Sequence, residues 1–167
     1  VLLQQELIRK TYQPGRSVCF FVAKPKLREI FAADFRDRIV HHLLVDYLES
    51  IWEPIFIYDS YACRKNKGIH GGVRRLQTMT RQVTHNGAKK AWFLQLDIHN
   101  YFMSIDKVIL FQLLKQRLSD ENALWLAALL VFYDCTKDYH LKGNQALMHA
   151  IAPHKTLFNC PHNKGLP

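Results

Sequence analysis

The stretch "AWFLQLDIHNYFMSID" at positions 91–106 decides the fold prediction, because an apolar run ends there on a carboxylate. Residues 91–98 have the composition of a short buried strand. Two aromatic residues follow, and Ser104 is expected to begin a helix that runs to about 118. A strand end inside a rigid sheet holds an acid more firmly than a loop does, so Asp97 is the first candidate for chemistry.

Charge along the chain indicates a polyanionic partner. The 167 residues contain 23 Lys and Arg against 14 Asp and Glu. Up to residue 92 the count is 16 basic against 8 acidic residues, whereas the remainder is nearly balanced. The first part is therefore expected to bind nucleic acid, and a merely solvated basic surface is the alternative.

Other features exclude several classes of protein. No apolar run approaches 18 residues and no charged-then-apolar leader is present, so we expect no membrane span and a cytoplasmic protein. The four cysteines are scattered without a short repeated spacing, which argues against a disulfide framework or a Cys-x-x-Cys zinc knuckle. Cys160 and His162 lack the second ligand pair that a structural zinc site needs.

The segments before residue 91 predict a hairpin and two helices. Two β-rich runs, 17–23 and 27–32, are joined by a basic turn at Lys24, Pro25 and Lys26. Asp34 is expected to cap an amphipathic helix over 35–51, and a basic loop, "YDSYACRKNKGIHGG", should lead to a helix over 70–85. One side of that helix, with Val73, Leu76 and Val83, is expected to pack, and the opposite side carries Arg74, Thr78 and Arg81.

After the opening stretch the sequence predicts more helix and then irregular chain. Asp106 lies in the first turn of the helix that begins at Ser104, and Asp120 is expected to start another helix over 120–133. The polar residues beyond Asp134 predict an exposed loop, and the final residues look irregular.

Four motifs now carry a resemblance. The segments "KPKLREI", "ADFRDRIVHHLL", "YACRKNKGIHGGVRRL" and "FLQLDIHNYFMSID" occur in the order seen in bacterial reverse transcriptases. Over about residues 14–106 the chain resembles those of diversity-generating retroelements and group II introns. The closing "HKTLFNCPHNKGLP" resembles the approach to the next polymerase motif of such enzymes.

The resemblance implies an α+β fold, with the fingers and part of the palm of a right-hand polymerase. Residues 1–90 would form the fingers, with helices and a basic β-hairpin, and 91–167 a partial palm with a small sheet. The activity implied is RNA-directed DNA polymerisation, a nucleotidyl transfer. The enzyme would copy an RNA template from a DNA or RNA primer, using deoxynucleoside triphosphates and two Mg²⁺ ions.

Residue roles follow from the same resemblance. Asp97 would bind both metal ions and the Ile98 carbonyl the nucleotide-bound ion, while Phe102 would lie under the incoming sugar. Lys24 or Lys26, together with Arg28, would hold the triphosphate. Without the resemblance, Asp106 is more typical of a helix cap, and Phe102 and Tyr101 of core aromatic residues.

Five basic residues would follow the template. They are expected to contact phosphates and 2′-hydroxyls without sequence preference, and solvated side chains are the alternative. These residues are Arg64, Lys65, Lys67, Arg74 and Arg81. Arg36, Asp37 and Arg38 are expected to form structural ion pairs instead.

Two departures from the family limit the expected activity. His99 stands where relatives often have Lys or Arg, and no Asp-Asp dipeptide occurs in the sequence. One acid cannot hold two divalent ions, so the chain is expected to be an inactive fragment whose exposed palm surface forms a homodimer. The alternatives are a non-catalytic nucleic-acid-binding module and a metal nuclease using Asp97, His99 and Asp106.

Overall fold

The computed structural model describes residues 2–165, which form six α-helices, three strands and three short 3₁₀ turns. Leu166 and Pro167, where the next polymerase segment was expected to begin, lie outside the described residues. The helices are α1 (Leu2–Ile8), α2 (Phe35–Trp52), α3 (Gly68–Val83), α4 (Tyr101–Ser104), α5 (Lys107–Lys115) and α6 (Glu121–Val131). The strands are β1 (Ser17–Val22), β2 (Arg28–Ala32) and β3 (Tyr139–Lys142).

The predicted hairpin is confirmed. β1 and β2 pair antiparallel, with Val18 opposite Ala32 and Val22 opposite Arg28, so the basic turn lies at the tip. Cys19 is fully buried in β1, and burial raises the pKa of its thiol to about 11. The apolar alternation of two short runs around a turn was therefore sufficient to predict this element.

β3 corrects the loop predicted beyond Asp134. It pairs parallel with β1, with Ser17 opposite Tyr139, and completes a sheet of order β2-β1-β3. Its four residues, Tyr-His-Leu-Lys, are too few and too polar to indicate a strand by themselves. Pairing with a strand more than a hundred residues away decides their conformation, which local patterning cannot show.

The long helix α2 is also confirmed, and a buried carboxylate fixes its start. Asp34 Oδ1 accepts a hydrogen bond from the Arg36 amide at 3.0 Å. Asp37 is 2% exposed and accepts from the Tyr12 hydroxyl at 2.7 Å and the Gly15 amide at 2.8 Å. The predicted ion pairing is present for Arg36 and Asp37, since Arg36 pairs with Glu6 and lies 3.8 Å from Asp37. Arg38 instead donates from Nε to the Ala33 carbonyl at 3.0 Å.

The helix predicted from Ser104 is divided in two. Ile105 is extended, with ψ of 120°, and separates α4 from α5. Asp106 then caps α5, because its Oδ1 accepts from the Val108 and Ile109 amides at 2.9 and 3.1 Å. Asp120 caps α6 in the same way through the Ala123 amide at 2.7 Å.

Two predictions about residues 70–98 are wrong in part. Helix α3 forms, but none of its residues is buried, so the predicted packing of Val73, Leu76 and Val83 is absent. Residues 91–98 form no strand, and every one of them is exposed. A strand requires a hydrogen-bonding neighbour. No described residue pairs with residues 91–98, so the predicted strand that would carry Asp97 does not form.

The chain divides into two compact units. One is Leu48–Ile98, and the other contains the described residues on either side of it. The buried apolar core belongs to this flanking unit and includes Tyr12, Val40 and Leu126. The predicted subdomain boundary at residue 90 stays a prediction. Within residues 2–165 no helix is long and apolar enough to cross a lipid bilayer.

Candidate nucleic-acid interface

Arg64 anchors the loop that precedes α3. Its guanidinium donates to the Glu53 carboxylate at 2.7–3.0 Å and to the carbonyls of Ile57 and Ser60 at 2.9 and 3.1 Å. The side chain is only 8% exposed. The bond from Arg64 holds the pKa of the Glu53 carboxyl below its usual range. Arg64 therefore supports the loop, and a phosphate contact would require these bonds to break.

The two lysines of the loop differ from each other. Lys65 is largely exposed and lies 3.1 Å from the Glu49 carboxylate. Lys67 donates from Nζ to the Tyr58 carbonyl, and the same ammonium lies 4.1 Å from the centre of the Tyr58 ring. Lys67 is thus held against an aromatic ring rather than extended into solvent.

Arg75, which the sequence did not single out, completes this cluster. Its guanidinium donates to Asp59 at 2.8 and 3.2 Å and lies 5.5 Å from the Tyr58 ring centre. The bond from Arg75 lowers the pKa of Asp59, and Tyr61 also donates to Asp59 at 3.0 Å. Two tyrosines followed by three basic residues in "YDSYACRKNK" were the available signal.

Glycine at the start of α3 allows this cluster to form. A Cβ at Gly72 would lie 3.3 Å from Cγ of Tyr61, tighter than most such contacts. Tyr61 can therefore pack on the first turns of α3 only because the helix lacks side chains there. Gly68, with φ of +67°, makes the turn into the helix without strain.

Arg74 and Arg81 lie on the exposed face of α3. Neither guanidinium makes a hydrogen bond or ion pair with another described residue, and both side chains are exposed. Arg81 lines an open recess of about 290 Å³ together with four other polar residues. These are Thr78, Gln82, His85 and Asn86. This face can accept phosphate oxygens without first losing an internal bond.

Asp97 lies on the exposed segment 91–98 in the same unit. Its carboxylate has no hydrogen bond or ion pair to any residue in the range 2–165, and Ile98 beside it is exposed. The carboxylate is accessible to a cation, but no sheet holds it in place. Residues 2–165 contain no group of three His, Cys, Asp or Glu that could hold a metal ion.

The predicted nucleotide-binding residues belong to the flanking unit. The side chains of Lys24, Lys26 and Arg28 are exposed around the hairpin tip and have no hydrogen-bond or ion-pair partner among the described residues. Phe102 lies on α4 and is exposed, with its ring 5.3 Å from that of Tyr101 in an edge-on arrangement. Triphosphate and sugar contacts by these residues stay predictions.

The nuclease alternative gains no support from the side chains. Asp106 is engaged in capping α5. The His99 ring stacks on that of His154 with centres 6.3 Å apart.

Comparison with known proteins supplies the remaining observation. No protein-family profile matches the chain. It is 30% identical to protein YkfC of Escherichia coli over 128 residues, 75% of this chain and 33% of that protein. It is 31% identical over 119 residues to the group II intron-encoded protein LtrA of Lactococcus lactis, covering 70% of this chain and 19% of LtrA.

The chain is also similar to a plant protein. Nuclear intron maturase 1 of Arabidopsis thaliana is 27% identical over 108 residues, 63% of this chain and 14% of that protein. The chain spans a third or less of the length of these relatives. It is therefore related to intron-encoded proteins and intron maturases.

Proposed function

We propose that this chain is the template-binding and nucleotide-binding part of an RNA-directed DNA polymerase of the reverse transcriptase class. The observation that carries the proposal is its relationship to a group II intron-encoded protein, together with four polymerase-like motifs in order. We also propose that the polymerase belongs to a group II intron or to a diversity-generating retroelement. The template would be RNA and the primer DNA or RNA.

The accessible cations support the nucleotide-binding part of the proposal. A triphosphate carries about four negative charges, and long basic side chains can follow it into a closing site. Lys24, Lys26 and Arg28 are exposed and without ion-pair partners among the described residues, so a ligand would not compete with an internal acid. Phe102 would exclude a 2′-hydroxyl by bulk.

Asp97 is proposed as one ligand of a magnesium site, with the Ile98 carbonyl beside it. Two Mg²⁺ ions would activate the attacking hydroxyl and bridge the triphosphate. The described residues supply a single carboxylate and do not by themselves fit two such ions. We therefore propose that this chain has no polymerase activity by itself.

Primer extension tests the proposal. Incorporation of dTTP on poly(rA)–oligo(dT) would be measured for the chain joined to its native downstream sequence and for Asp97→Asn in the same protein. We expect incorporation by the parent and loss to background in Asp97→Asn. Asp138→Asn is the matched control, because Asp138 is an exposed acid paired only with Arg16.

A non-catalytic RNA-binding module is the second candidate. One relative is named as a maturase, and no group of three His, Cys, Asp or Glu among residues 2–165 could hold a metal ion. This candidate predicts that the longer protein binds RNA but extends no primer. Salt-dependent RNA binding with no incorporation would therefore replace the polymerase proposal with this one.

Self-association through the exposed apolar segment is the partner proposal. Trp92 is 96% exposed, and Phe93, Leu94 and Leu96 are exposed beside it. An apolar, unpaired extended segment is a surface onto which a second copy can add a strand. Sedimentation should show a dimer that Leu94→Arg with Leu96→Arg converts to monomer, and an unchanged dimer would reject this segment as the interface.

A further inference from the structure

We infer that Tyr58 is a stacking platform for an unpaired base of single-stranded RNA, a site beyond the phosphate contacts proposed above. The inference rests on the proposed function, because it requires the unit Leu48–Ile98 to bind nucleic acid. The Tyr58 side chain is 72% exposed although it lies inside a bonded cluster. A large aromatic ring left in water is available to a ligand with a flat apolar face.

Two cations hold the ring in position. The Lys67 ammonium lies 4.1 Å from the ring centre and the Arg75 guanidinium 5.5 Å. Each cation is held in turn, Lys67 by the Tyr58 carbonyl and Arg75 by the Asp59 carboxylate. The ring is thus ordered before binding, so a base that stacks on it has little conformational entropy to remove.

Comparison of the two tyrosines separates a ligand role from loop packing. Tyr61 lies against Gly71 and Gly72 of α3, with its hydroxyl bonded to Asp59, and is partly covered. The Lys67 ammonium lies near both rings, 5.2 Å from the centre of Tyr61 and 4.1 Å from that of Tyr58, but Tyr58 is 72% exposed. If the cluster served only to pack the loop, the more exposed of the two rings would contribute the less to it.

The surroundings suit a single strand of RNA. Ile57 beside Tyr58 is exposed, and Arg74 next to Arg75 is free of partners among the described residues. Arg81 follows on α3 at about 9 Å along the helix axis from Arg75, at 1.5 Å per residue. Aromatic rings that alternate with basic side chains are how sequence-tolerant sites bind single strands. Stacked bases of a duplex cannot reach such a ring.

Fluorescence anisotropy with a labelled twelve-nucleotide uridine RNA tests the inference on the whole chain. We expect Tyr58→Ala to weaken binding about 5- to 100-fold, as removal of one stacked base contact does. Tyr58→Phe keeps the ring and should bind within about twofold of the parent chain. The dependence on salt should stay the same in both variants, because neither removes a charge.

Phe35→Ala is the matched control, since Phe35 is a 71% exposed aromatic residue of the flanking unit and no cation of the described residues lies over its ring. The affinity of Phe35→Ala should equal that of the parent. Equal losses in Phe35→Ala and Tyr58→Ala would overturn the inference, because the loss would then not depend on the position of the ring. Normal binding by Tyr58→Ala would overturn it as well, while leaving the proposed function in place.

A second measurement, by fluorescence, tests the inference even if Tyr58→Ala does not fold. Tyr58→Leu keeps apolar bulk but not the aromatic face, and 2-aminopurine in the RNA reports stacking by its fluorescence. We expect quenching by the parent chain and less quenching by Tyr58→Leu at saturating protein. Equal quenching would overturn the inference. Absence of salt-dependent RNA binding by the parent would overturn both the inference and the template-binding part of the proposed function.

Discussion

The two units of this chain are stabilised by different interactions. The flanking unit buries Tyr12, Cys19 and Val40 completely and organises them around one sheet and the long helix. The unit Leu48–Ile98 buries no residue and relies on bonds from Arg64 to Glu53 and from Arg75 to Asp59. The basic surface is therefore ordered by polar contacts, whereas the hairpin is ordered by a buried apolar core.

The largest predicted effect concerns the buried carboxylate of the flanking unit. Asp37→Ala should lower the free energy of unfolding by about 3 kcal/mol, because the Tyr12 hydroxyl and the Gly15 amide would lose their acceptor. Denaturant unfolding measures the change. Asp138→Asn, in an exposed pair with Arg16, should cost under about 1 kcal/mol. Similar losses of unfolding free energy in the two variants would contradict the prediction that the buried carboxylate contributes more than the exposed ion pair.

The next effect concerns the unpaired arginines of α3. Arg74→Gln with Arg81→Gln should weaken single-stranded RNA binding roughly tenfold at 0.15 M salt, and reduce the log–log salt slope by about 1.4. Anisotropy titrations over a range of salt concentrations measure both quantities. Lys115→Gln, on α5 of the flanking unit, removes a charge outside the α3 face and serves as the control. An unchanged slope in the double variant would exclude phosphate contacts at these two positions.

A smaller effect should appear in the loop before α3. Arg64→Met removes the bonds to Glu53 and to two carbonyls, so we expect several-fold faster proteolysis between residues 53 and 67. Arg64→Lys should fall between Arg64→Met and the parent, because an ammonium cannot reproduce the guanidinium fork. Arg74→Met, which breaks no internal bond, should leave the cleavage rate unchanged. A resistant Arg64→Met loop would show that other contacts order it.

The smallest effect is a change in titration. The bond from Arg75 holds the pKa of Asp59 below its usual range. The folded pKa is depressed, so this bond contributes stability above the unfolded value near 3.9, and the contribution disappears as pH falls through the folded pKa. NMR titration should show the Asp59 midpoint rising in Arg75→Gln. The neighbouring Arg74→Gln should not move it, and a midpoint insensitive to Arg75 would rule out this pairing in solution.

Local signals explain what could be predicted. The hairpin followed from two β-rich runs around a turn, and the starts of α2 and α6 followed from Asp34 and Asp120. Each depends on residues within a few positions of one another, where spacing and capping chemistry suffice. The basic face of α3 with Arg74 and Arg81 was predictable for the same reason.

Non-local pairing explains what could not be predicted. The partner of Arg75 is 16 residues away, and nothing in its spacing indicated that Asp59 would bind it or that two cations would lie near the Tyr58 ring. Arg64 was predicted to face a template, yet the structure engages it with Glu53. The sequence did not distinguish one arginine from another, because the difference between them lies in the residues that the fold brings next to each.

The sequence by itself determined the charge imbalance, the hairpin, the capped helices and the order of polymerase-like motifs, because these depend on composition and short-range spacing. Only the tertiary structure decided that β3 joins β1, that segment 91–98 is exposed and unpaired, and which arginines are free. The physical reason is that strand pairing and ion pairing join distant residues, and their free energy depends on which groups the fold brings together.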